Sequence, residues 1–153
     1  MKNRFTSSAL IICGLAVSLN TVAQKQNETS AAVEYKNKYM MAMATGDMET
    51  AKKALITAKG FIDLAAEHPD TKESQKTLFY KGEIYSAFLI TGMQSMDTSF
   101  IKLAGEDALD VSIAAYKRGY DAPGKMQRDI KDAVAQKRAL LDGYSNMLYQ
   151  NQM

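Results

Sequence analysis

The stretch Gly46-Asp47-Met48-Glu49-Thr50-Ala51-Lys52-Lys53-Ala54-Leu55-Ile56-Thr57-Ala58 joins a turn to the start of a helix. Glycine suits the left-handed position just past one helix end, and Asp47 can cap the helix that follows. One face of that helix is apolar at steps of three and four residues, namely Met48, Ala51, Leu55, Ala58, Ile62 and Ala65. The stretch therefore predicts a helical hairpin that buries its apolar face by stacking on a neighbour.

The same periodicity extends through the chain and predicts an all-α fold of about five antiparallel helices. We expect helices over residues 31–44, from Met48 to a stop at His68-Pro69, over 72–93, from about 106 to 121, and over 125–150. A loop is expected over 94–105, where periodicity fails. The fourth helix has one apolar face, carried by Leu109, Ile113, Tyr116 and Tyr120.

Two local features of the third helix carry further expectations. Asp70 followed by Glu73 is typical of a capping box at its start. Gly82 and Gly92 each cost a helix up to about 1 kcal/mol relative to alanine. For Gly82 we expect a neighbouring helix to approach closely, whereas Gly92 fits either close approach or fraying.

The first 23 residues have the pattern of a secretory signal peptide. Lys2 and Arg4 precede an apolar run over residues 9–19, which ends in Thr21-Val22-Ala23. The run is shorter than the roughly 20 residues that a membrane-spanning helix needs. We therefore expect cleavage after Ala23, a flexible spacer over 24–30 and a helical domain over 31–153. The mature chain would be exported to the periplasm or the extracellular space, without a membrane span, and association with the outer membrane stays open.

Composition and charge argue against several classes of function. The 19 basic residues fall to 17 without Lys2 and Arg4 and then equal the 17 acidic ones, so no basic surface for nucleic acid is expected. His68 is the single histidine, and Cys13, the single cysteine, leaves with the leader. No histidine pair or thiolate can therefore form a metal site. His68 is expected to be a solvated residue at a helix end.

The acidic clusters fit helix starts better than catalysis. Glu106-Asp107 with Asp110, and Asp70 with Glu73, stand where negative charge stabilises the first turn of a helix. Neither cluster has the alternating oxygen ligands of a calcium loop or a paired-carboxylate arrangement. We expect no catalytic residues, no metal and no cofactor, and hence a protein that is not an enzyme.

Two stretches resemble the tetratricopeptide repeat family, whose helical hairpins stack into a right-handed superhelix. Spacing matches the family at eight positions, namely Ala51, Leu55, Ala58, Gly82, Tyr85, Ser112, Tyr116 and Gly119. In addition, Tyr80-Lys81-Gly82-Glu83-Ile84-Tyr85 and Ala114-Ala115-Tyr116-Lys117 look like exported repeat proteins of Gram-negative bacteria. The chain departs from the family at Tyr39, which replaces a small residue, and between Tyr85 and Ser112, where about 18 residues are extra against the 34-residue period.

The resemblance implies that the eight matched residues pack the repeats and that a concave groove binds a partner. The groove positions of the family fall here on Lys76, Phe79, Glu83, Ser86 and Ala87. Phe79 and Glu83 replace the cationic and amide residues with which some relatives bind a peptide carboxylate. The resemblance therefore implies an amphipathic groove that does not bind a free C-terminal carboxylate.

Three functions stay open at this level. The first is a non-enzymatic interaction module that binds an extended or helical segment of another envelope or secreted protein. The second is self-association or assembly through the unpaired fifth helix and its Tyr144 and Leu148 face, which either caps the repeats or precedes a further hairpin. The third is a small-ligand carrier or hydrolase, which an apolar cavity walled by Met93, Met96 and Phe100 would favour.

Overall fold

The computed structural model describes residues 25–150, with the side chains of residues 25–140, and that part is all-helical without a strand. The predicted signal peptide, Cys13, the end of the chain and the Tyr144 and Leu148 side chains lie outside the described parts. The six helices are α1 (25–45, including a π-helical turn at Glu34–Tyr39 and ending in Met40–Thr45), α2 (Met48–Glu67), α3 (Gln75–Ser95), α4 (Thr98–Ala104), α5 (Ala108–Asp121) and α6 (Gln127–Gln150).

The turn between α1 and α2 forms as its sequence predicts. Gly46 follows the last residue of α1 with a φ of 76°, a left-handed conformation in which a Cβ would be strained. The side chain of Asp47 accepts a hydrogen bond of 3.0 Å from the backbone N–H of Thr50. At the other end, α2 stops at Glu67 because His68 is extended before Pro69.

The apolar face of α2 forms the centre of the core. Five of its six predicted members are fully buried, namely Ala51, Leu55, Ala58, Ile62 and Ala65. This face packs against α1 on one side and α3 on the other. Small alanines let the helix axes come close, and the periodicity prediction for this helix is confirmed.

Helix α1 begins earlier than predicted, so the expected spacer over 24–30 is helical from residue 25. The reason is a set of contacts with the start of α3. Thr77 donates a hydrogen bond of 2.9 Å to Oε1 of Glu28, and Ser74 donates to the same oxygen. The ammonium of Lys76 lies 3.6 Å from Oε2 of Glu28. A nearly buried carboxylate thus fixes the first turns of α1 on α3.

The start of α3 also differs from its prediction. The helix begins at Gln75, and Ser74 is its cap, accepting 3.1 Å from the backbone N–H of Thr77. The predicted capping box at Asp70 and Glu73 is therefore wrong. Glu73 instead accepts a hydrogen bond of 2.6 Å from Arg118 of α5, so its charge is used between helices rather than within one.

The predicted loop over 94–105 contains the short helix α4, which folds back on the end of α3. A Cβ at Gly92 would lie 2.8 Å from Cγ1 of Ile101, so glycine here makes room for α4 and does not mark fraying. Phe100 is buried in the core. Asp97 caps α4 through the N–H of Ser99 at 2.9 Å and pairs with Lys52 of α2 at 2.7 Å.

Helices α5 and α6 complete the fold against α3. The ring of Tyr116 fills the space over Gly82, where a Cβ would lie 2.7 Å from it, so α5 approaches as predicted. Gln75 holds the turn between α5 and α6, because its side chain accepts 2.7 Å from the N–H of Met126 and donates 3.0 Å to the carbonyl of Gly119. The start of α6 is thereby fixed to α3.

Candidate functional site

A buried carboxylate joins the two sides of the fold. Glu83 of α3 accepts hydrogen bonds from the hydroxyls of Tyr35 at 2.7 Å and Tyr116 at 2.6 Å. The ammonium of Lys137 lies 2.7 Å from Oε1 of Glu83. One side chain therefore ties α1, α5 and α6 to α3.

Burial and charge fix the donors in this network. Burial first, and then the charge of the Glu83 carboxylate, raises the pKa of Tyr35 well above its ordinary value. The same two causes raise the pKa of Tyr116. Both tyrosines therefore keep their hydroxyl protons and donate to Glu83. Since both carboxylate oxygens already accept hydrogen bonds, the cluster acts as a structural junction.

The five predicted groove residues are not brought together on one open surface. Glu83, Ser86 and Ala87 are buried. Phe79 is partly buried with its ring centroid 5.1 Å from that of Tyr80, and Lys76 pairs with Glu28. Only Ser86 lines the cavity described below. The physical reason is that Tyr35 of α1, Tyr116 of α5 and Lys137 of α6 all converge on Glu83, and that Glu28 at the start of α1 pairs with Lys76.

An apolar groove lies elsewhere, between the second half of α3, the length of α5 and the first half of α6. Its volume is about 750 Å³. The hydrophobic residues that line it are Leu89, Ile90 and Met93 of α3, Leu109, Ile113, Tyr116 and Tyr120 of α5, and Ile130 and Val134 of α6. The groove therefore has three walls of hydrophobic side chains.

Several of these hydrophobic side chains are about half exposed. Leu109 is 49% exposed and Ile113 is 56% exposed, although both belong to the apolar face of α5. Val134 on the facing helix is 43% exposed. A contiguous exposed apolar surface of this kind is typical of a binding site.

Cationic side chains surround the apolar centre. Four basic residues line the groove against one acid, Asp121; they are Lys117, Lys131, Lys137 and Arg138. The charge of Lys137 is used by Glu83. Lys117 and Lys131 are exposed and have no ion-pair partner among residues 25–140. The groove is thus apolar inside and positive at its edge.

The remaining predicted site residues are accounted for by packing. The eight positions matched to the repeat family, from Ala51 to Gly119, are all buried. His68 lies at the end of α2, where its Nδ1 accepts a hydrogen bond of 3.2 Å from the N–H of Asp70.

Within residues 25–140, no three His, Cys, Asp or Glu side chains are placed to hold a metal ion. None of the helices described is both long and apolar enough to cross a membrane.

The cavity that would have favoured a ligand carrier is not where the sequence placed it. Met93 lines the groove, but Met96 is 85% exposed and Phe100 is in the core. The groove could have been found from α5 and α6 together. The apolar stripe of α6 is interrupted by Lys137, which indicates a helix that does not bury its whole face.

Comparison with known proteins finds no matching family model, no matching curated protein and no matching solved structure. The functional argument for this chain therefore depends on the geometry and charge of the groove.

Proposed function

We propose that this chain is a non-enzymatic interaction module that holds an amphipathic helix of another protein in the groove between α3, α5 and α6. The observation that carries the proposal is the exposed apolar stripe of α5, whose Leu109 and Ile113 face a groove rather than a packed neighbour. Helix-in-groove recognition uses such surfaces, because the apolar face of the bound helix replaces water on them.

The dimensions of the groove suit a short helix. The α5 wall from Leu109 to Tyr120 is about 17 Å long at the rise of an α-helix. A bound helix of about three turns, or roughly 13 residues, would span this wall and place three or four apolar side chains in the groove.

The wider setting of the proposal comes from the sequence. The repeat-like spacing of Ala51, Leu55 and Ala58 supports a tetratricopeptide-like superhelix, and the leader over residues 1–23 supports export. We therefore place the partner among envelope or secreted proteins. The groove differs in position from the one that the family resemblance implied, since Glu83 and Ala87 are covered.

Site-specific photo-crosslinking tests the proposal. A photoreactive residue at Ile113 of the full chain, expressed in its native host, is expected to link to one protein, with the linked site in an amphipathic helical segment. The matched control is Ile56 on α2, which is 44% exposed but outside the groove. A synthetic peptide of the linked segment should then bind the full chain and compete with the crosslink.

The competing occupants give different results. Crosslinks from Ile113 to lipid alone, or to a second copy of the same chain alone, would overturn the proposal. Equal labelling of one protein from Ile113 and Ile56 would show non-specific contact and would also overturn it.

A further inference from the structure

We propose, as an extension that rests on the proposed function, that the bound helix carries acidic side chains along the edges that meet Lys117 and Lys131. The groove thus selects amphipathic helices that are acidic at their apolar–polar boundary.

The charge at the groove is strongly one-sided. Four basic side chains and one acidic side chain line it, although acidic and basic residues are nearly balanced over the whole chain. Lys137 is already paired with Glu83 inside the fold. Lys117 and Lys131 lie at the exposed edge without an ion-pair partner among residues 25–140. Complementary charge on an occupant would steer its approach and fix its orientation.

The register of α5 and α6 places these two lysines in the same half of the groove. Cδ1 of Ile130 lies 3.2 Å from where a Cβ of Gly119 would be, and the ammonium of Lys137 lies 5.8 Å from the ring centroid of Tyr116. The helices therefore run antiparallel, with residue 119 opposite residue 130. Lys117 and Lys131 belong to the half nearest the α5–α6 turn, one on each helix; Asp121 lies in that half too, so two exposed ammonium groups there stand against one carboxylate.

The other half of the groove is more apolar along α5, where Leu109 and Ile113 stand, while Arg138 lies on its α6 side. An occupant that matches both halves has its carboxylates toward the α5–α6 turn and its largest apolar side chains toward Leu109. The groove thus specifies a direction as well as a class of helix.

A peptide series tests this proposal against the full chain. Four capped 13-residue helical peptides share the same leucine stripe. In three of them, the two residues that flank the stripe in one half of the peptide are both Glu, both Gln or both Lys. The fourth peptide has its two Glu residues in the other half. Calorimetry at low salt is expected to show the Glu peptides binding roughly fivefold tighter than the Gln peptide and the Lys peptide weakest. Salt at about 0.5 M should reduce these differences.

Charge-reversal variants locate the effect. Lys117→Glu combined with Lys131→Glu should reverse the order of the Glu and Lys peptides, whereas Lys102→Glu on α4, a single charge reversal outside the groove, should not. Nitroxide labels on the peptides, read by relaxation of the Leu109 and Val134 methyl groups, report orientation. The two Glu peptides should bind in opposite directions.

The outcomes separate the two proposals. If all peptides bind the chain with equal affinity and none binds the Ile113→Asp variant, the acidic selectivity is overturned and the proposal of a helix-binding groove stands. No peptide binding, with dodecanoate or phosphatidylglycerol vesicles bound instead, would overturn both proposals. Dimerisation seen by light scattering and abolished by Ile113→Asp, again without peptide binding, would also overturn both.

Discussion

Helices α2 and α5 have similar amphipathic patterns, but the apolar stripe of α2 is buried whereas that of α5 is partly exposed. The apolar stripe of α2 is fully buried at Leu55, Ala58 and Ile62, between α1 and α3. The apolar stripe of α5 leaves Leu109 and Ile113 about half exposed beside a groove. Since both stripes predict a contact face, the difference lies in whether the chain itself supplies the second surface. α2 belongs to the closed side of the molecule and α5 to the open side.

The side chains on the two stripes explain this difference. Small alanines alternate with Leu55 and Ile62 on α2, so neighbouring helices can pack closely over it. On α5, bulky side chains face α6, and α6 presents Lys137 to Glu83 at the point where it would otherwise close over them. The apolar face of α2 is thus covered by helices on both sides, whereas α6 leaves part of the α5 face open.

The largest expected effect comes from breaking the junction between the two sides. Glu83→Ala leaves Lys137 and two tyrosine hydroxyls without their shared acceptor, and we expect a loss of about 3–5 kcal/mol in the free energy of unfolding. Urea denaturation measures the loss. Hydrogen exchange should rise more in α6 than in α2, because α6 loses its ion pair with α3.

A double-mutant cycle with Lys137→Ala is the control for that prediction. The double variant should lose less than the sum of the two single variants, because removing both charges leaves no unpaired one. Additive losses would contradict the assignment of Lys137 as the partner of Glu83.

The second prediction compares the two stripes directly. Leu55→Ala removes a fully buried side chain, and we expect about 2–5 kcal/mol less stability. Ile113→Ala removes a side chain that is 56% exposed, and we expect at most about 1 kcal/mol. Peptide binding should show the reverse order, since only Ile113 lines the groove. Comparable stability losses would mean that α5 is packed as tightly as α2.

The third prediction uses one substitution in two environments. Gly82→Ala would put a methyl group 2.7 Å from the Tyr116 ring, which is held by its hydrogen bond to Glu83, so a loss of about 1–3 kcal/mol is expected. Gly60→Ala on α2 meets no atom within 4 Å and should gain up to about 1 kcal/mol from helix propensity. Thermal melts of both variants check the opposite signs.

The smallest expected effect is a loss of stability at alkaline pH that comes from Tyr85 of α3. Burial first, and then the hydrogen bond to Asp63, raises the pKa of Tyr85 to about 12 from an ordinary 10.0. Because the pKa of Tyr85 is higher in the folded state than in the unfolded state, protonated Tyr85 contributes to the free energy of unfolding. This contribution is complete below pH 10 and is lost as pH rises to about 12. Wild-type melting temperatures should fall across that window, and Tyr85→Phe should fall less steeply. Identical slopes would rule out this contribution.

The parts of the fold that sequence could predict are those that local contacts decide. Gly46 and Asp47 form their turn and cap within a few residues, and the α2 stripe follows from periodicity alone. The start of α1 depends on Glu28 meeting Thr77 across the fold, and no local pattern encodes that pairing. In the same way, α4 forms where Gly92 leaves room for Ile101.

The candidate site was predicted less well for the same reason. The apolar face of α5 was identified from its spacing, but its exposure depends on where α6 lies. The predicted groove residues around Glu83 follow from the family resemblance, whereas Glu83 is covered by Tyr35, Tyr116 and Lys137, all of which are distant from it in sequence.

The π-helical turn at Glu34–Tyr39 sets the rotational phase of the two halves of α1. Tyr35 and Tyr39 lie on one face of this turn, with ring centroids 5.3 Å apart, and their hydroxyls reach Glu83 and Thr91. Each residue of an α-helix turns the chain by about 100°. Removing one residue from this turn would therefore swing Glu28 away from Ser74 and Thr77. The length of this segment is therefore constrained more tightly than its composition.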